Sequence, residues 1–147
     1  DSFLERVTSS SGQGLIALPD LSPHWDWGTL KDIFPHLYLP VSRHLDSQDQ
    51  LRFEIAHQLH KKFEIQRVAT NDVHYHVSAR APVQDVQTCI RNHVTLKDAG
   101  FALFSNHERY LKSEKQMLHL FKDYPGWVHL TQEIAQSCRF SLTELKP

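Results

Sequence analysis

The residues with the clearest chemical meaning form the run NDVHYH, from Asn71 to His76, which directly follows an apolar run typical of a strand. In an extended backbone Asp72 and His74 point the same way, because side chains repeat every second residue. A carboxylate and an imidazole that converge suit a borderline divalent metal such as Zn²⁺ or Mn²⁺. They equally suit a hydrogen-bonded pair in which the carboxylate fixes the histidine tautomer. A third interpretation is that Asp72 caps a turn beside a polar His74.

A second group of polar side chains follows an earlier apolar run. Ser42, Arg43 and His44 come directly after it, and the carboxyl ends of parallel strands are where sites are built. Arg43 either grips a phosphate bidentately or pairs with Asp46 or Asp49, and the salt bridge is the favoured interpretation. Two ligands do not complete a catalytic zinc site, which needs at least three from the protein. The predicted site thus has two candidate metal ligands and three phosphate-binding or site-lining residues: Asp72 and His74, then Arg43, His44 and His76.

Strands and a helix must position these residues. Three apolar runs predict strands, namely Gly14 to Leu18, His36 to Val41 and Ile65 to Thr70. Between the second and third, Ser47 to Phe63 shows the spacing of a two-sided helix. A strand, a helix and a strand at this spacing predict a parallel βαβ crossover.

After Val77 the patterns are those of helices. One helix begins at Pro82 with an apolar stripe, one opens with a capping box at Ser113, and one begins at Pro125. The stripe consists of Val83, Val86 and Ile90, and the last helix places Trp127, Thr131, Ile134 and Cys138 on one face. The chain is therefore predicted to be α/β with parallel strands over residues 1–81 and all-helical over residues 82–147.

Composition narrows the function classes. The 147 residues suit one domain, and the net charge of −1 gives no global positive field toward nucleic acid. Cys89 and Cys138 are predicted to be buried in helices, which together with the lack of a signal peptide favours a reducing cytoplasm. No apolar run approaches the ~20 residues that span a membrane. The tryptophans Trp25 and Trp27 are predicted to be packing anchors, and the histidines His57 and His60 to be solvated.

Several segments resemble one family. Arg67 to His76 resembles the late strand of the PHP (polymerase-and-histidinol-phosphatase) domain of bacterial DNA polymerase III alpha-type subunits. Four further segments are similar to the family's LYLELQRH, LQDVLTCIR, NAERHLKS and IAERCRFSL: Leu37 to His44, Val83 to Arg91, Asn106 to Ser113 and Ile134 to Leu142. The resemblance covers nearly the whole chain from Gly14 onward and is nearest to the error-prone branch.

The resemblance implies part of a distorted (β/α)7 barrel with a metal site at its strand ends. Asp72 and His74 would correspond to the family's final Asp-x-His ligand pair, and in metal-binding members such a site hydrolyses phosphoesters. Two departures stand out: the early His-x-His motifs are not in the chain, and Pro40 stands where many relatives carry Glu. The polymerase palm would lie beyond Pro147.

Three functions follow as expectations. The first is an error-prone polymerase segment, inactive alone, that supports DNA replication or repair synthesis with the remainder of the polypeptide and, through it, DNA. The second is a metal-dependent phosphoesterase completed by self-association, a homodimer through open sheet edges. The third is an interaction module that docks through its helical half.

Overall fold

The computed structural model describes Gly12 and residues 14–141. Residues 1–11, 13 and 142–147 lie outside the described residues. Leu142, the last residue of the family-like segment from Ile134 to Leu142, is among them. In chain order the elements are β1 (Ile16–Ala17), α1 (Trp27–Ile33), β2 (His36–Ser42), α2 (Asp49–Phe63), β3 (Gln66–Thr70), α3 (Ala81–Asn92), α4 (Glu114–Leu120) and α5 (Pro125–Ser137). Two 3₁₀ turns lie at Ser78–Arg80 and Gly100–Ala102.

The sheet is parallel and has the order β1-β2-β3. Helix α2 connects β2 to β3, which confirms the predicted crossover and the α/β class. Strand β2 pairs with β3 from Tyr38 to Ser42, whereas β1 pairs only with His36 and Leu37. The register places Ser42 opposite Thr70, so the chain leaves both strands side by side.

Helix α1 was not predicted. Its N-cap is Asp26, whose Oδ1 accepts from Gly28 N at 3.1 Å and Thr29 N at 3.4 Å. Trp27 is buried in a cluster with residues of α1 and β2 and with Ile65, which precedes β3, and Trp25 packs against this cluster. The prediction that both tryptophans are packing anchors is therefore confirmed.

The C-terminal helices pack on the other buried cluster. Phe121, Trp127 and Val128 lie there with Val41 and Ala69 of the sheet and Ala56 of α2. This cluster fixes α4 and α5 against the strands that carry the candidate site.

Two details of the helical half differ from the predictions. Cys138 is exposed, because α5 ends at Ser137 and the chain then leaves the helical face; Cys89 is buried as expected. Helix α3 has the predicted period, but Val83, Val86 and Ile90 are all exposed. His57 and His60, on α2, are half-buried rather than solvated. The His57 ring packs against Tyr124 and Trp127, and the Nδ1 atoms of both histidines lie within hydrogen-bonding distance of backbone carbonyls.

None of the helices within residues 14–141 combines the length and apolarity that crossing a membrane requires.

Candidate functional site

The predicted pair lies together at the end of β3. His74 Nε2 is 3.5 Å from Asp72 Oδ1, and the two side chains are 34% and 56% exposed. Asp72 adopts a φ of 42°, a left-handed conformation that Asp and Asn adopt more readily than other residues apart from glycine. Its second oxygen, Oδ2, accepts a hydrogen bond from Arg109 Nη1. The carboxylate thus binds the guanidinium through Oδ2 and lies near the imidazole through Oδ1.

His44 lies next to this pair and is only 1% exposed. Its Nε2 is 3.0 Å from Arg109 Nη1. Since a guanidinium only donates, Nε2 accepts and the proton is on Nδ1. Within the described chain, Nδ1 is buried without a hydrogen-bond partner. Burial, together with the charges of Arg109 and Arg52, lowers the pKa of His44 to about 4, so the imidazole is neutral at pH 7.

Arg109 was missed as a site residue. It joins Asp72 to His44, and its guanidinium carbon lies 4.1 Å from the centroid of the Phe104 ring. Its backbone carbonyl accepts from His74 N at 2.9 Å and from Tyr75 N at 3.4 Å. Arg109 is 37 positions from Asp72, so no local spacing connects them. The signal that was present was the similarity of Asn106 to Ser113 to the family segment NAERHLKS.

Further contacts fasten the segment of residues 104–112 to the strand ends. Asn71 Nδ2 donates to the Tyr110 carbonyl, and Lys112 Nζ lies 3.3 Å from Asn71 Oδ1. Asn106 Nδ2 donates to the His44 carbonyl at 2.6 Å. Each strand end therefore contacts this segment through both side chains and backbone.

Arg43 is salt-bridged as favoured, but the predicted partners are wrong. It lies 3.4 Å from Asp123, while Asp46 and Asp49 are both paired with Arg52. Side chains alternate along an extended chain, so Arg43 follows Val41 toward the cluster that contains Phe121. Arg43 is therefore directed away from the Asp72 pair.

His76, the remaining predicted lining residue, is exposed. The cleft beside Asp72 has a volume of about 560 Å³ and is lined by polar groups of both strand ends, including Ser42 and Thr70, together with Pro40. Leu18 and Leu21 also line this cleft, so most of its surface is apolar, with hydrogen-bonding groups at the strand ends.

The side chains in the described part of the chain do not by themselves complete a metal site. No group of three or more His, Cys, Asp and Glu side chains is arranged there to hold one. The carboxylate of Asp72, the strongest candidate ligand, already binds a guanidinium. Zn²⁺ or Mn²⁺ at Asp72 and His74 therefore stays a prediction for which the chain supplies two ligands.

No family model matches the chain. Among curated proteins, it is 36% identical over 140 residues to an error-prone DNA polymerase of Allorhizobium ampelinum, which is 91% of this chain and 13% of the relative. It is 40% identical over 119 residues to error-prone DNA polymerase 1 of Rhizobium meliloti, which is 80% of this chain and 11% of the relative. An error-prone DNA polymerase of Anaeromyxobacter dehalogenans is 34% identical over 142 residues, which is 96% of this chain and 12% of the relative. Over most of its length, the chain is therefore homologous to a short segment of error-prone DNA polymerases.

Proposed function

We propose that the chain works as part of an error-prone DNA polymerase, supporting damage-tolerant DNA synthesis without transferring nucleotides itself. The observation that carries the proposal is 34–40% identity to three such polymerases over 80–96% of the chain. The matched region is only 11–13% of each relative, so the remaining polypeptide and DNA are the proposed partners. The activity belongs to the assembled polymerase.

We further propose that β1, β2 and β3 are part of a PHP-type barrel. The parallel order, the helical crossover and the polar residues at the strand ends support this architecture. Strand β1 is an edge of the described sheet, where another parallel strand could pair. We expect amide exchange at Ile16 and Ala17 to slow when the chain is mixed with the preceding segment of the Allorhizobium relative. Unchanged exchange would argue against the barrel.

The exposed stripe on α3 is the proposed docking surface for the rest of the polypeptide. Val83, Val86 and Ile90 are each at least 43% exposed on one helical face. Contiguous exposed apolar residues mark interaction sites more often than isolated ones do. A neighbouring part of the polymerase would cover this face and remove it from water.

Two experiments test the proposal. In primer extension with added nucleotides, the purified chain alone is expected to give no product, and extension by it would refute the proposed role. In the second, the tagged chain is co-expressed with the remaining polypeptide of a relative, and the two are expected to co-purify.

Matched variants locate the contact within the second experiment. Ile90→Lys should reduce recovery of the partner, because a charge would be buried at the interface. Asn92→Lys adds the same charge to an exposed position on the opposite side of α3 and should leave recovery unchanged. Equal recovery with both variants would exclude this face as the docking surface.

The self-associating phosphoesterase is not favoured. The three relatives are all error-prone DNA polymerases by name, and the described residues provide two of the ligands that such a site requires.

A further inference from the structure

Arg109 lies between the groups that a metal ion at these strand ends would have to join. One of its nitrogens, Nη1, donates to Asp72 Oδ2 and lies 3.0 Å from His44 Nε2. The side chain is only 14% exposed, and the guanidinium stacks on the Phe104 ring. The positive charge of the Arg109 guanidinium therefore already lies between Asp72 and His44.

An arginine in this position differs from an exchangeable ion. Its guanidinium stays charged at every physiological pH and offers donors in a fixed planar fork. A divalent cation that joined Asp72 Oδ2 to His44 Nε2 would have to displace it and leave a largely buried arginine without its carboxylate. Such an unpaired buried charge is strongly unfavourable. A cation bound at Asp72 Oδ1 would be repelled by the guanidinium across the same carboxylate.

We propose that Arg109 is the resident cation of this site: its guanidinium takes the place of a divalent metal between Asp72 and His44, and fastens residues 104–112 to the sheet. Asp72 and His74 are then anchors of this segment rather than metal ligands. The inference rests on this chain's own contacts and is independent of the proposed function.

The backbone on either side of Arg109 shows what the cation holds in place. The Arg109 carbonyl accepts from His74 N and Tyr75 N, and Leu111 N donates to the Tyr75 carbonyl at 3.0 Å. Tyr75 and Tyr110 form an isolated parallel bridge. These three amides are protected only while the segment stays docked, so they report on the role of the guanidinium.

Native-state amide exchange tests the fastening. In Arg109→Gln, exchange at His74, Tyr75 and Leu111 should accelerate by about tenfold or more, because the charged hydrogen bond to Asp72 is lost and the largely buried guanidinium that fastens the segment is removed. Arg91→Gln, an exposed arginine of α3, is the matched control and should leave these amides unchanged. If Arg109→Gln fails to fold, Asp72→Asn serves instead, because that side chain is 56% exposed and its shape is kept. Unchanged exchange at the three amides in the variant that folds would overturn the proposal.

Metal titration tests the replacement itself. Protein purified without chelator is expected to carry no stoichiometric Zn²⁺ or Mn²⁺, and calorimetric titration with either ion should show no site that depends on Asp72. Stoichiometric binding of either ion that Asp72→Asn abolishes would overturn the proposal, whatever the exchange rates.

Discussion

The guanidinium of Arg43 donates to the backbone carbonyl of Leu120 at 2.6 Å, which joins the end of β2 to the last residue of α4 across 77 positions. The guanidinium carbon also lies 4.5 Å from the centroid of the Phe53 ring on α2. Three elements therefore meet at one side chain that is 18% exposed.

Replacing Arg43 tests this junction. Arg43→Met keeps much of the aliphatic stem but leaves the Leu120 carbonyl without its donor and removes the cation over Phe53. We expect the free energy of unfolding to fall by ~1–3 kcal/mol. Urea denaturation measures the change, and Arg91→Met at an exposed position of α3 should have no comparable effect. Equal urea midpoints for Arg43→Met and Arg91→Met would show that the contacts of Arg43 do not stabilise the fold.

Among residues 14–141, Phe121 is the largest fully buried side chain, and it lies in the cluster that holds the C-terminal helices to the sheet. Phe121→Ala removes its ring from a closely packed environment, so we expect a loss of ~3–5 kcal/mol. Phe101 is fully exposed, and Phe101→Ala is the matched control with little change in stability. A small effect of Phe121→Ala in thermal or chemical unfolding would show that these helices pack differently.

His44 makes stability depend on pH in a defined window. Its folded-state pKa is about 4, below the ordinary value of 6.5, because burial and nearby arginines disfavour the charged form. The unfolded chain thus binds a proton at this histidine more readily than the folded chain does. The contribution of neutral His44 to the free energy of unfolding is therefore complete above pH 6.5 and is lost as the pH falls toward 4.

The measurement compares wild type with His44→Gln, which lacks the titrating group. The difference between their free energies of unfolding should narrow on acidification through this window. Carboxylates titrate in both proteins and cancel in the comparison. A difference that stays constant would contradict the assignment of His44 as a buried neutral imidazole.

The capping box at α4 gives a fourth prediction. Gln116 N donates to Ser113 Oγ at 3.4 Å, and Ser113 N donates to Gln116 Oε1 at 2.8 Å. Ser113→Ala leaves a donor at the helix start unpaired and should cost ~1 kcal/mol. Ser47→Ala, at an exposed position before α2, is expected to be nearly neutral. The difference between the two urea midpoints checks the cap.

The sequence predicted those elements whose pattern is local. Strand β2 extends one residue beyond the expected His36 to Val41, and β3 begins one residue after the expected Ile65. Helix α1 was missed because it has seven residues and contains Gly28 and Thr29, which are weak helix formers. Its stability comes from the Asp26 cap and from burial of Trp27, and burial depends on the rest of the fold.

The candidate site divides in the same way. Asp72 and His74 are close, as predicted, but the extended backbone assumed for them is wrong, since Asp72 has a φ of 42° beyond the end of β3. The position of His44 beside them followed from the parallel strand ends. Arg109 could not be placed, because it lies on a segment without helical or strand periodicity that returns to the sheet from far along the chain. Long-range packing, rather than residue spacing, decides which cation faces Asp72.

The contrast between the two thiols makes the chain suitable for direct labelling. Cys89 and Cys138 are the two cysteines of the sequence, and only Cys138 is exposed. A fluorophore added under native conditions would attach just beyond α5 without any engineered mutation. The second dye would enter only when α3 opens, so the fraction of doubly labelled molecules in a mass spectrum, followed over time, would report how fast that helix opens.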